Sequence, residues 1–183
     1  WILVCPHLKD VVESGVERLV LLAVVSRHLS DIHFALCNPL RDLHGKLVGI
    51  SGRNPDGVRP KYKVYTKEYP VWRMEERSEP NKRFLLWNAD KVYPVLYFST
   101  CRAPLIIVEG FKACMWVHQA GLTNVGALLG HYMSQPQKWI LEDLVSGGGG
   151  AVYMFLDNNW QGWHGCDVAG RDLARSVKVK VMM

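Results

Sequence analysis

The stretch Leu105-Ile106-Ile107-Val108-Glu109-Gly110 constrains this chain most. Four consecutive apolar residues between Pro104 and Gly110 predict a strand buried on both faces. Parallel sheets use such strands, because helices cover both sides of the sheet. A carboxylate at the end of this strand does nothing for packing. In open α/β sheets ligands bind beyond the carboxyl ends of the strands, so Glu109 stands where chemistry is expected.

The rest of the C-terminal half repeats this plan. Phe111–Ala120 has apolar residues at 111, 114, 115 and 117 and is followed by Gly121, which predicts a helix with a glycine C-cap. Asn124–Leu129 is a second short apolar run. Ser134, Pro136 and Gln137 form a capping-box signature ahead of a helix whose apolar stripe is Ile140, Leu141, Leu144 and Val145. Gly147–Gly150 predicts a loop. Ala151–Leu156 predicts a third buried strand, again ending on a carboxylate, Asp157. A helix from about Gly162 to Arg175 and a strand over Val177–Met183 complete the series. Strands and helices alternating with connections of roughly 2 to 6 residues predict a parallel sheet with right-handed crossovers.

An apolar strand ending in Glu-Gly, then a helix and short strand, then an apolar strand ending in Asp157-x-Asn159-x-x-Gly162, resembles the Toprim domain shared by DnaG-type primases, topoisomerases and some nucleases. The preceding region narrows the resemblance to primases. The segment from Asn38 to Arg53 resembles their hairpin followed by a Gly-Arg pair, here Gly52-Arg53. Pro60-Lys61-Tyr62 and Lys82 with Leu86-Trp87-Asn88 are similar to the Pro-Lys-Tyr and the lysine and Leu-Tyr-Gly that follow. The match covers roughly residues 35 to 183. It implies an α/β fold class: a Toprim-like four-stranded parallel sheet flanked by helices over 103–183, preceded by a smaller basic α+β subdomain over 1–102.

The resemblance also implies a function, a DNA primase-type nucleotidyltransferase that makes short RNA primers on single-stranded DNA with Mg²⁺ or Mn²⁺. Glu109 would act as metal ligand or general base at the 3′-hydroxyl. Asp157 would hold the metal, with the carbonyl oxygen of Asn159 helping. Arg53 and Lys61 would line the groove for template and nucleoside triphosphate, and Lys82 would reach a phosphate. Gly110 and Gly130 join them as nucleotide- or nucleic-acid-binding positions. Guanidinium and ammonium groups suit this work because phosphate contacts supply sequence-independent affinity. Each of these cations also has a plain reading as a surface charge. The implied partners are the template strand and nucleoside triphosphates, with room for a replicative helicase; the implied setting is the cytoplasm of a bacterium or phage-infected cell, away from membranes.

The chain departs from the primase pattern at two acidic positions, where Ala113 and Asn159 stand. Nucleotidyl transfer on two Mg²⁺ ions needs several hard oxygen ligands, so the remaining pair suits one ion better than two. Two other readings stay open: a degenerate Toprim domain that binds nucleic acid or nucleotide without catalysis, and a Toprim nuclease. Asp167-Val168-Ala169-Gly170 imitates the end of the motif, but placing Asp167 at the strand tip would leave a helix too short to cover the sheet.

The net charge of +5 sits in one region: residues 41–102 hold 13 Lys/Arg against 7 Asp/Glu, whereas 103–183 hold six of each. A polyanion lying across the basic half and worked on at the neutral half fits this, and so does a solvated basic face. Five scattered cysteines without a CxxC pair predict reduced thiols and no zinc ribbon. Val20–Val25 is too short to span a bilayer, and no signal-peptide pattern precedes it. A start at Trp1 and an end inside a predicted strand lead us to expect an excerpt of a longer protein. Tyr62, Tyr65, Tyr69, Trp72 and Trp87 could stack bases, but most suit a small core. His118 is expected to be structural. His131, after Gly130, is either a phosphate contact or an incidental loop residue.

Overall fold

The computed structural model describes residues 36–53, 62–66, 82–98, 103–146 and 150–182. Lys61, Tyr69, Trp72 and Val20–Val25 lie outside them, as does the side chain of Lys82. The chain divides into two compact units, one of Trp1–Arg41 with Lys46–Pro80, the other of Asp42–Gly45 with Asn81–Met183. The charge changes at 102/103; the packing divides the chain at 80/81.

In the first unit, β1 (Leu36–Arg41), β2 (Leu47–Arg53) and β3 (Tyr62–Thr66) form an antiparallel meander in the order β1-β2-β3. The predicted hairpin is present. Its turn closes through the Gly45 N–H to the Asp42 carbonyl and the His44 N–H to the Asp42 side chain, both at 3.0 Å. The strand β3 was not among the predicted elements. It pairs so that Tyr62 lies opposite Arg53.

The second unit is the α/β body. Strands β4 (Leu105–Val108), β5 (Val125–Ala127), β6 (Val152–Phe155) and β7 (Val179–Val181) form a wholly parallel sheet in the order β5-β4-β6-β7. The most apolar strand is central, and all four of its side chains are buried. Burying a side chain of this size contributes roughly 1.5–3 kcal/mol, so β4 fixes the sheet. Helices α1 (Ala89–Phe98), α2 (Phe111–Gln119), α3 (Gln135–Leu144) and α4 (Trp160–Leu173) connect and cover the strands. Val92, Leu96, Leu141, Leu144, Cys166 and Leu173 meet the sheet's Leu105, Ile107 and Met154 in one core. No described helix is long and apolar enough to cross a membrane.

The strand β6 differs from expectation. Val152 and Met154 face inward, but Tyr153 is half-buried beneath the Lys180 ammonium and Phe155 is 42% exposed. On its outer edge β6 pairs with β7 only as far as Met154 opposite Val181, so Phe155 lies beyond that pairing.

Two helix ends show how closely local chemistry sets the boundaries. After α2, the Leu122 N–H reaches the Val117 carbonyl and the Gly121 N–H reaches that of His118, with Gly121 at φ +91°. This is a Schellman motif, and the left-handed residue it needs is the glycine. At the start of α3, Ser134 and Gln137 satisfy each other's backbone N–H groups as a complete capping box. Gln137 does more than cap. Its buried side-chain amide donates to the carbonyls of Leu85 (2.8 Å) and Leu128 (2.7 Å), tying the segment before α1 to the end of β5. Trp87 then adds an antiparallel bridge to Ala127, through hydrogen bonds of 2.9 and 3.0 Å, and covers the outer edge of β5.

Candidate active site at the strand tips

Because β4 and β6 are neighbours in parallel register, with Val108 beside Phe155, the residues that leave them emerge side by side. Glu109 follows β4 directly and Asp157 lies two residues beyond β6. One carboxylate oxygen of Glu109 accepts the Asp157 main-chain N–H at 3.4 Å. The Gly130 N–H donates to the Glu109 carbonyl at 3.2 Å, which draws the loop after β5 over the same tips. Asp157 is exposed and Glu109 half-buried, as suits groups meant to meet a ligand from solvent.

Helix α4 is pressed against this edge. A Cβ at Gly162 would overlap the Asp157 carbonyl oxygen, and one at Gly165 would overlap that of His131. Glycine at these two positions, one turn apart on the buried face, lets the helix backbone touch both strand-end loops. By contrast, a Cβ at Gly110 or Gly130 would meet nothing within 4 Å, so both positions border open space. Leu129, at φ +63°, turns the chain sharply out of β5 into the Gly130 loop.

Asn159 is the N-cap of α4, its Oδ1 accepting the Gly162 N–H at 2.9 Å. One lone pair of the proposed ligand oxygen is thus engaged by the helix. Ala113, on the first turn of α2, brings no oxygen. Among the described residues no group of three or more His, Cys, Asp and Glu gathers in a way that could hold a metal. Glu109 and Asp157 are therefore the two acids the fold brings together. Two carboxylates are few ligands for a hard cation, which would have to complete its coordination with water and phosphate. Asp167 lies mid-helix, exposed and paired with Arg171 at 2.9 Å. Beneath the acids lies buried Cys166; burial raises its thiol pKa, the Leu156 backbone hydrogen bond lowers it, and the charge of Glu109 raises it further.

Arg53 closes β2 in the first unit. Lys82 opens a 3₁₀ turn, Lys82–Phe84, and the next residue, Arg83, is exposed with its carbonyl accepting the Ser134 hydroxyl. Asn88, where the primase pattern has glycine, adopts the left-handed conformation at φ +71° and donates its side-chain amide to the Val125 carbonyl at 2.8 Å. Sequence reasoning missed the aromatic residues around the acids. Trp160 and His164 stack at 5.4 Å with rings 12° apart, and Tyr132 stands edge-on to His164 at 6.3 Å. The available signal was the density of rings in Trp160–His164 so soon after Asp157.

No protein-family model matches the chain. A curated DNA primase of Deinococcus radiodurans is 31% identical over 143 residues, 78% of this chain and 22% of the relative. A DNA primase of Staphylococcus aureus is 28% identical over 135 residues, 74% of this chain and 20% of the relative. The chain thus spans about a fifth of the length of these curated relatives. Among solved structures, the zinc-binding and RNA polymerase domains of the Aquifex aeolicus primase superpose with TM-score 0.61 at 23% identity, covering 80% of this chain and 33% of that one. The RNA polymerase domain of Mycobacterium tuberculosis primase DnaG gives 0.60 at 22%, covering 81% and 47%. A DnaG primase catalytic domain bound to single-stranded DNA gives 0.56 at 19%, covering 81% and 43%. By sequence and by fold, the chain is a relative of the DnaG-type DNA primases and has the α/β architecture of their RNA polymerase domain.

Proposed function

We propose that this chain carries the nucleotidyl-transfer site of a primase, extending short RNA primers on single-stranded DNA with Mg²⁺ or Mn²⁺. The observation that carries the reading is the pair of carboxylates, Glu109 and Asp157, at adjacent tips of one parallel sheet, joined through the Asp157 N–H. The similarity to DNA primases over most of the chain supports it. Glu109 takes the proton from the attacking 3′-hydroxyl or shares in metal binding. Asp157 would be the principal metal ligand, with the second lone pair of the Asn159 side-chain oxygen as a further donor. When bound, a divalent cation neutralises charge on the reacting phosphate. Arg53, Lys61 and Lys82 hold template and triphosphate phosphates by charge-assisted hydrogen bonds, and Gly110 and Gly130 leave room for a phosphate to approach the backbone. The template strand, nucleoside triphosphates, a replicative helicase and a cytoplasmic setting belong to this proposal.

The test is primer synthesis from nucleoside triphosphates on a single-stranded DNA template. Product that depends on Mg²⁺ and vanishes in Glu109→Gln supports the reading; undiminished product in that variant ends it. Ala113 and the engaged oxygen of Asn159 favour a second reading, a domain that binds nucleic acid but no longer polymerises. A Mg²⁺ titration separates the two: the catalytic reading requires binding that Glu109→Gln and Asp157→Asn each weaken. Cleavage of the strand in place of extension would point to the nuclease alternative.

A further inference from the structure

Beside the acid pair lies a set of rings that packing does not explain. Trp160 is 70% exposed, Tyr132 55% and Trp163 49%. Large exposed apolar groups gathered in one place mark an interaction surface. These rings are held in position. His164 stacks on the parallel Trp160 ring and meets the Tyr132 ring edge to face. Tyr132 in turn contacts His131 at 4.2 Å, whose carbonyl abuts Gly165 of α4. Trp163 donates its indole N–H to the Asn158 side chain at 3.1 Å. Only Asn158 and the N-cap Asn159 lie between Asp157 and α4, so the carboxylate and the rings share one short stretch of chain.

We infer that Trp160, His164 and Tyr132 form a stacking platform for an unpaired base of a polynucleotide strand whose backbone passes the Glu109–Asp157 edge. This deepens the polymerase reading and rests on it for the strand's presence. A flat ring, fixed and open on one side, suits a nucleobase because every base has a π-face, and stacking needs no sequence-specific hydrogen bond. Charge favours a polyanion over an apolar partner: the Ser134 hydroxyl, two residues beyond Tyr132, pins the basic Lys82–Arg83 segment to this loop. A ring already stacked on its neighbour also loses little freedom when a base joins it.

The full chain, titrated with labelled oligo(dT), oligo(U) and free UTP, tests this through anisotropy and tryptophan quenching. Trp160→Ala should weaken binding of at least one oligomer about 5- to 100-fold, with Tyr132→Ala weaker in effect and Trp160→Phe retaining most of the affinity. Trp116→Ala and Trp139→Ala, at equally exposed rings elsewhere (61% and 60%), should change nothing. The oligomer that loses more identifies the strand as template-like or primer-like. Unchanged affinity for both oligomers in Trp160→Ala, a wild-type chain that binds neither, or a loss confined to UTP overturns the platform. Failure of the polymerase reading is separate: it shows as primer synthesis surviving Glu109→Gln, an outcome that the stacking measurements do not contain.

Discussion

The main-chain N–H of Asp157 points at a carboxylate oxygen of Glu109 from 3.4 Å, although 48 residues separate them in sequence. Parallel pairing of β4 with β6 makes this possible, because both chains leave the sheet on the same edge. The contact is long for a hydrogen bond, and a backbone amide can stabilise the Glu109 anion without neutralising it. An acid held this way stays at the sheet edge, where a ligand at the strand tips would meet it.

Glu109→Gln should therefore separate chemistry from folding. The amide keeps an oxygen to face the Asp157 N–H, so stability should stay within about 0.5 kcal/mol of wild type. Mg²⁺ affinity should fall about tenfold or more, given the loss of one of two carboxylates. Urea denaturation and calorimetric metal titration on the same preparation check both halves. A variant that unfolds would make Glu109 a structural residue.

Asn159 offers a way to tell a cap from a ligand. Asn159→Asp keeps an N-cap of equal quality while adding a charge, whereas Asn159→Ala should cost about 1 kcal/mol of helix stability. Asn159→Asp should tighten Mg²⁺ binding with stability unchanged. Equal metal affinity in all three forms would leave capping as its whole role.

The glycines divide into two kinds, and alanine scanning should expose the division. Gly162→Ala and Gly165→Ala force a methyl onto the carbonyls of Asp157 and His131, so each should lose about 2–3 kcal/mol or more, since backbone cannot yield as a side chain can. Gly110 has an extended backbone with open space where a Cβ would go. Gly110→Ala should fold normally, so any loss of nucleotide affinity would report the methyl's intrusion on the ligand.

What the sequence shows most clearly is local. The apolar run of β4, the capping box at Ser134 and the glycine after α2 each carry their own signal within a few residues, and each forms as expected. Helix α4 begins two residues before the expected Gly162 because its cap is Asn159, the residue that the resemblance assigns to a metal. The strand β3 escaped notice because its identity comes from pairing with β2. Phe155 lies past the end of the β6–β7 pairing, a limit set by the partner strand. The Trp160–His164–Tyr132 stack depends on Gly165 letting a distant loop come close. In each case the missing information lies in contacts between segments.

Gln137 is the test of that long-range layer. Its side chain is 2% exposed and serves Ser134, Leu85 and Leu128 at once. Gln137→Leu fits the volume but leaves two carbonyls and one N–H short of a partner, which should cost about 2–4 kcal/mol. The urea midpoint should drop with an unchanged m-value. A loss below about 0.5 kcal/mol would mean that water replaces the amide without penalty.

Alkaline pH should reveal the core through Cys114, which lies on the buried face of α2 with its thiol 3.6 Å from the Val125 carbonyl. Burial pushes this thiol up from 9.0 to about 12. The folded form thus holds its proton where the unfolded chain has lost it. The contribution is fully present below about pH 9 and is lost as pH rises from there toward about 12. In that window stability should decline by up to about 1.4 kcal/mol per pH unit on this account. Cys114→Ala should be less stable at neutral pH, because it leaves a small cavity, yet decline more gently with alkali. Urea midpoints measured from neutrality to about pH 11 would show the two curves converging. Parallel curves would mean that the thiolate finds water or a partner in the folded state.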